Sequence, residues 1–180
     1  MRKFLLLSIV ALASLATSSF AVQTPRKSPE FVIHMTDGSQ KLLSSYKGKT
    51  IALAFMFTTC PHCQKTAGVL AKVQTEYAAK GVQVLGVTFD DGAQGRVNQF
   101  NQNLGLNFPC GYSAKGPVLE FLGIPVNEPF FVPILVFIDK TGNIRSEYIG
   151  DERFLLNQEV NIRAELDKYL KAGPVSAAKK

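Results

Sequence analysis

The stretch Ile51-Ala-Leu-Ala-Phe-Met-Phe-Thr-Thr-Cys-Pro-His-Cys63 decides how this chain folds. Its first half, Ile51–Phe57, is a continuous apolar run of strand length, which fits a strand covered on both faces. Its second half opens a helical pattern that reaches Lys80. Two thiols three residues apart between a strand and a helix are the sequence signature of a redox dithiol. The helix start has chemical meaning. Unpaired backbone N–H groups and the positive end of the helix dipole fall where Cys60 stands, and they favour a thiolate, the form that attacks disulfides. Pro61 suits the first helical position, because its fixed φ fits and its missing N–H is not needed there. Cys63 follows one turn along on the same face, within reach of Cys60.

A structural zinc site needs two more ligands beyond such a pair. Outside the motif the chain offers only Cys110 and His34, far apart in sequence, and His62 lies inside it. No flavin, haem or nucleotide motif is present, so the expected cofactor and metal content is none, and the dithiol is the only redox group.

Working outward, Asp37-Gly38 is a turn after the strand candidate Phe31–Met35. Leu42–Lys49 reads as a loop or single helical turn leading into the central strand. Val69, Leu70, Val73 and Tyr77 give the helix after the motif one buried face, and Gly81 ends it. Val82–Phe89 is the next strand, and Asp90-Asp91-Gly92 starts a helix to about Asn103. Phe108–Tyr112 is a short extended piece and Gly116–Leu122 a short helix. Ile134–Ile138 and Ile144–Ile149 form a hairpin around Asp139-Lys140-Thr141-Gly142. A last helix, Asp151 to about Leu170, is expected to bury Leu156, Val160, Leu166 and Tyr169 or Leu170. Phe130, Phe131, Phe137 and Tyr148 read as core, with Phe130 or Phe131 available to line a groove. The resulting class is α/β: a central mixed β-sheet flanked by helices.

The N-terminus speaks to compartment. Arg2 and Lys3 precede a mostly apolar Phe4–Ala16, and Ser19-Phe20-Ala21 supplies small residues for cleavage. Residues 1–21 are read as a bacterial signal peptide, too short to be a comfortable membrane anchor. The expected divisions are then a flexible lead at 22–30, one domain at 31–171 and a disordered tail at 172–180. The localisation is periplasmic or secreted. An exported dithiol meets oxidants, and three cysteines are too few to serve as a disulfide scaffold. The net charge of +6 falls to +4 without Arg2 and Lys3 and is scattered, with no aromatic-interleaved basic stripe for nucleic acid.

From about Pro29 to Leu170 the chain resembles the thioredoxin superfamily. The strand–Cys-x-x-Cys–helix unit, Val132-Pro133 before a strand and the closing hairpin and helix carry the likeness. Within the superfamily it is similar to exported TlpA/ResA-type and AhpC/TSA-type redoxins in its N-terminal strand, its Leu-x-x-Tyr-Lys-Gly-Lys lead and its Asp90–Pro129 insert. Pro61-His62 between the cysteines resembles the disulfide-forming DsbA-type oxidases, as does a Val before the proline, although the chain has no room for that family's helical insert. The resemblance implies a thioredoxin-like fold and an enzyme that exchanges disulfides with protein thiols and with a redox partner protein. It implies catalytic roles for Cys60 and Cys63, thiolate tuning by Pro61 and His62, and a substrate groove shaped by Val132 and a cis Pro133. The chain departs from these relatives at Thr59, where an aromatic is common, at Ala54, where a buried Asp or Asn is common, and at Thr66, where TlpA/ResA-type proteins carry an acid. Cys110 is either a small buried residue or a resolving thiol.

Two other functions are weighed. A peroxiredoxin places Thr three residues before its reactive Cys, but Phe57 holds that place while Thr58 and Thr59 are out of register. A copper-binding or metallochaperone module of this fold spaces its cysteines by three residues and adds a distal His, and neither feature is evident.

Overall fold

The computed structural model describes residues 24–171; the expected signal peptide, the first residues of the lead and the tail lie outside them. Eight strands form one mixed sheet. They are β1 (Arg26–Lys27), β2 (Val32–His34), β3 (Gln40–Leu42), β4 (Thr50–Met56), β5 (Val82–Thr88), β6 (Cys110–Tyr112), β7 (Ile134–Ile138) and β8 (Asn143–Ile149). Their order across the sheet is β1-β8-β7-β4-β5-β6-β2-β3. The β4–β5 and β5–β6 pairs are parallel and the remaining pairs antiparallel. The helices are α1 (Pro61–Tyr77), α2 (Ala93–Asn103), α3 (Lys115–Leu122), α4 (Glu152–Leu156) and α5 (Gln158–Lys171). This is the thioredoxin-like arrangement that the resemblance implies.

The central strands are mostly apolar because both sheet faces are covered. Along β4, Ala52, Ala54 and Met56 point to the core shared with Leu70 and Val73 of α1 and Ile162 and Leu166 of α5. Ile51, Leu53 and Phe55 point to the opposite core, with Val118, Phe121 and Leu122 of α3. The small Ala52 and Ala54 lie on the face where α1 packs, and Ile51, Leu53 and Phe55 on the other. Gly86 of β5 belongs to the first face; a side chain there would put its Cβ 2.7 Å from the Cys110 Sγ.

The hairpin turn forms where expected. The Asp139 carboxylate accepts from the Thr141 N–H and hydroxyl at 2.9 and 2.6 Å, and Gly142 takes φ +84°. Differences from the sequence reading are local. Arg26–Lys27, inside the expected flexible lead, pair with Asn143 and Ile144. Gln40–Leu42, between the expected Asp37-Gly38 turn and the start of the expected Leu42–Lys49 loop, pair with β2. Both strands are short, polar edge pieces, which carry no periodic apolar signal. The closing helix breaks at Asn157 (φ −121°, ψ 43°). The break resets its phase, so α5 buries Gln158, Ile162, Leu166 and Tyr169. Leu156 and Val160, expected in the core, are 76% and 68% exposed. Phe131 is likewise exposed rather than core, whereas Phe137 is fully buried and Tyr148 packs against it.

Candidate active site

Parallel strands β4 and β5 both end at one edge of the molecule, and the dithiol sits there, where the chain leaves β4. Phe57 to Cys60 form a turn in which the Cys60 N–H donates to the Phe57 carbonyl at 3.3 Å. Cys60 then caps α1 in extended conformation (φ −84°, ψ 119°), with Pro61 as the first helical residue. The Cys60 Sγ accepts from the Cys63 N–H at 3.4 Å, so an otherwise unpaired N–H of the helix start is aimed at the sulfur. The two thiols differ in setting. Cys60 is partly exposed, while Cys63 is fully buried and its Sγ accepts from the Phe57 N–H at 3.4 Å. Burial pushes the Cys63 thiol far above its ordinary range, only partly opposed by that hydrogen bond. The arrangement therefore has one accessible sulfur and one sheltered sulfur a turn deeper.

Val132-Pro133 lies alongside. The peptide bond between them is cis, Pro133 is buried, and Val132 packs at the junction of both cores. The loop is held from behind, where the Gly150 N–H donates to the Pro133 carbonyl at 3.2 Å; a side chain at Gly150 would strike Phe131. A groove of about 640 Å³ opens from this point, lined by His62, Thr66, Phe131, Val132, Leu156 and Gln158 among others. Pro61 and His62 are exposed, and His62 faces this groove. Thus Cys60, Cys63, Pro61, His62, Val132 and Pro133 are brought to one place.

Cys110 is not among them. It lies on β6, separated from β4 by β5, 2% exposed against Gly86 and Phe108. Burial pushes its thiol up to about 12, which disfavours a thiolate there at neutral pH. His34 sits on β2 beside the Tyr112 ring, 5.6 Å between centroids. Among the described residues no three His, Cys, Asp or Glu side chains gather as a ligand set.

Two features of the site escaped the sequence reading. Thr66, one turn beyond Cys63, is buried and its hydroxyl donates to the Gln158 side-chain carbonyl at 2.6 Å. A neutral pair therefore stands where TlpA/ResA-type proteins carry an acid. Asp90, expected only to begin a helix, turns its carboxylate to Thr58, two residues before Cys60. Neither partnership has a local sequence signal, because each joins residues that only the folded sheet and helices bring together.

Comparison with known proteins agrees with this geometry. A family model described as Redoxin matches residues 23–162. The chain is 24% identical over 155 residues to the thiol-disulfide oxidoreductase ResA of Bacillus thuringiensis subsp. konkukian, covering 86% of this chain and 81% of that protein. It is 27% identical over 138 residues to ResA of Geobacillus thermodenitrificans, covering 77% of this chain and 76% of that one. Among solved structures, a thiol:disulfide interchange protein of the thioredoxin family from Chlorobium tepidum superposes with TM-score 0.69 at 21% identity. That match covers 83% of this chain and 99% of the other, and at such identity it speaks to the fold.

Proposed function

The chain belongs to the Redoxin family, and on that premise we propose that this thiol–disulfide oxidoreductase works through Cys60 and Cys63, exchanging disulfides with protein thiols outside the cytoplasm. The observation that supports the assignment is the asymmetry of the pair: Cys60 is partly exposed at a helix start and Cys63 is buried one turn inside.

In the oxidising direction, a substrate thiolate attacks the Cys60 sulfur of the Cys60–Cys63 disulfide. The S–S bond breaks, Cys63 leaves as thiolate and takes up a proton, and a mixed disulfide joins substrate to Cys60. A second substrate thiolate then attacks the substrate's own sulfur in that mixed disulfide, and Cys60 leaves as thiolate. Two electrons have passed to the protein. The reducing direction runs the same steps backwards, with Cys63 as the group that releases the substrate. Burial keeps Cys63 protonated until the mixed disulfide forms, so the first attack falls to Cys60. The Cys63 N–H at the helix start is aimed at the Cys60 sulfur, His62 lines the adjoining groove, and Val132-Pro133 offers backbone against which a substrate strand can lie.

The apolar segment Phe4–Ala16 with its basic start supports export, with residues 1–21 removed and residues 31–171 acting as the catalytic domain in the periplasm or beyond. No helix among the described residues is long and apolar enough to cross a membrane.

The roles are tested by trapping. Cys63→Ser is expected to accumulate mixed disulfides on Cys60, and Cys60→Ser to abolish exchange. Partner trapped on Cys63 at comparable yield in Cys60→Ser would reverse the assignment. The direction of flow is read from the potential, which is expected above the thioredoxin value of about −270 mV. A value at or below it makes the protein an electron donor.

A further inference from the structure

Thr58 has no spare polar group. Its N–H donates to the Asp90 Oδ1 at 2.8 Å and its hydroxyl donates to the Asp90 Oδ2 at 2.6 Å. The same hydroxyl accepts from the Arg96 Nε at 3.0 Å, and its carbonyl accepts from the Gln64 side-chain amide at 3.0 Å. Arg96 closes the ring by pairing with Asp90 Oδ2 at 2.6 Å and by donating to the Asp91 carbonyl. The Asp90 side chain is 9% exposed within this ring.

The ring has a particular address. Thr58 is the second residue of the Phe57–Cys60 turn, whose neighbouring Phe57 N–H is the donor to the Cys63 Sγ. Asp90 stands just past β5, which runs parallel to β4 with Met56 opposite Thr88. The sheet register therefore delivers a carboxylate to the turn that presents the dithiol. A surface ion pair would contribute little, but a carboxylate that accepts a backbone N–H and a hydroxyl while paired with arginine holds a loop in one geometry.

We infer that Asp90, braced by Arg96, is a positioning residue for the dithiol: through Thr58 it holds the turn that places the Cys60 sulfur at the helix start. This rests on the dithiol reading above. Asp90 touches neither sulfur and acts through Thr58.

Thr58→Val keeps the side-chain shape and the charges but removes the hydroxyl; Thr58→Ser restores the hydroxyl. Asp90→Asn removes the charge. The reduced proteins are mixed with a nitrobenzoate aryl disulfide and the released aryl thiolate is followed. Separately, each is equilibrated with glutathione buffers, and a thermal melt certifies the folded fraction. Thr58→Val is expected to react about tenfold more slowly per folded molecule, since small misplacements of a reacting group are costly, while Thr58→Ser stays near the wild-type rate. Asp90→Asn is expected to slow similarly, because the Thr58 N–H and hydroxyl lose their charged acceptor. The inference is overturned if Thr58→Val and Asp90→Asn lose only thermal stability, with the rate within about a factor of two of wild type. A wild-type protein inert in both assays would instead sink the dithiol reading itself.

Discussion

Thr66 and Gln158 show what a single replaced residue does to this site. A carboxyl at position 66 would provide a proton acceptor next to the sheltered thiol. The threonine hydroxyl is instead committed to the Gln158 carbonyl at 2.6 Å, with both residues buried. Proton removal from Cys63 must therefore come from solvent or substrate. The hydrogen bond also has structural weight, because it joins α1 to α5 across the core. Thr66→Val keeps the volume and strands the glutamine carbonyl, and is expected to lower unfolding free energy by about 1–3 kcal/mol. Urea unfolding reads this directly; a loss under about 0.5 kcal/mol would show that water takes over the bond. Neither Gln158 nor Asp90 was legible beforehand, since glutamine and aspartate in a polar stretch carry no mark of a distant partner. Cys60, Cys63 and Val132-Pro133 were legible because their spacing and their strand and helix context are local.

Elements were legible in proportion to how completely they are buried. β4, β5 and β7 appear as apolar runs because helices cover both faces, and α1 appears by its Val69, Leu70, Val73 and Tyr77 face, all buried. β1 and β3 did not, because a polar edge strand looks like loop. The closing helix buries Leu166 and Tyr169 as the spacing predicts, but Asn157 interrupts the periodicity at its start, so Leu156 and Val160 face solvent. The corrected phase makes a sharp contrast. Ile162→Ala is expected to cost about 2–5 kcal/mol, as a large-to-small change at a fully buried position. Leu156→Ser and Val160→Ser are expected to stay within about 0.5 kcal/mol. Equal losses in chemical denaturation would restore the continuous-helix phase.

For the whole molecule, the carboxylates set the response to acid. Asp139 and Asp90 are both raised by burial, but the hydrogen bonds outweigh it: Thr141, Asn143 and Arg145 for the one, Thr58 and Arg96 for the other. Both groups are therefore held below the ordinary aspartate value of 3.8. A depressed carboxyl contributes stability that is present above its unfolded value and lost as pH falls through its folded one. Glu147 runs the other way: burial raises it despite Arg26, so it opposes folding at neutral pH and not in acid. Unfolding free energy is expected to fall as pH drops below about 4, and Asp139→Asn to flatten that limb while lowering stability at neutral pH. Titration of denaturation midpoints against pH measures both; an unchanged acid limb in Asp139→Asn would remove Asp139 from the account. The pairing of Arg26 with Ile144 has a temporal meaning as well. A ribosome delivers the first strand of this sheet more than a hundred residues before the strand that will receive it. Until the last hairpin is present, β1 has no place to dock. Among the strand pairings this one encloses the longest stretch of chain, so it carries the largest loop-closure entropy of the sheet.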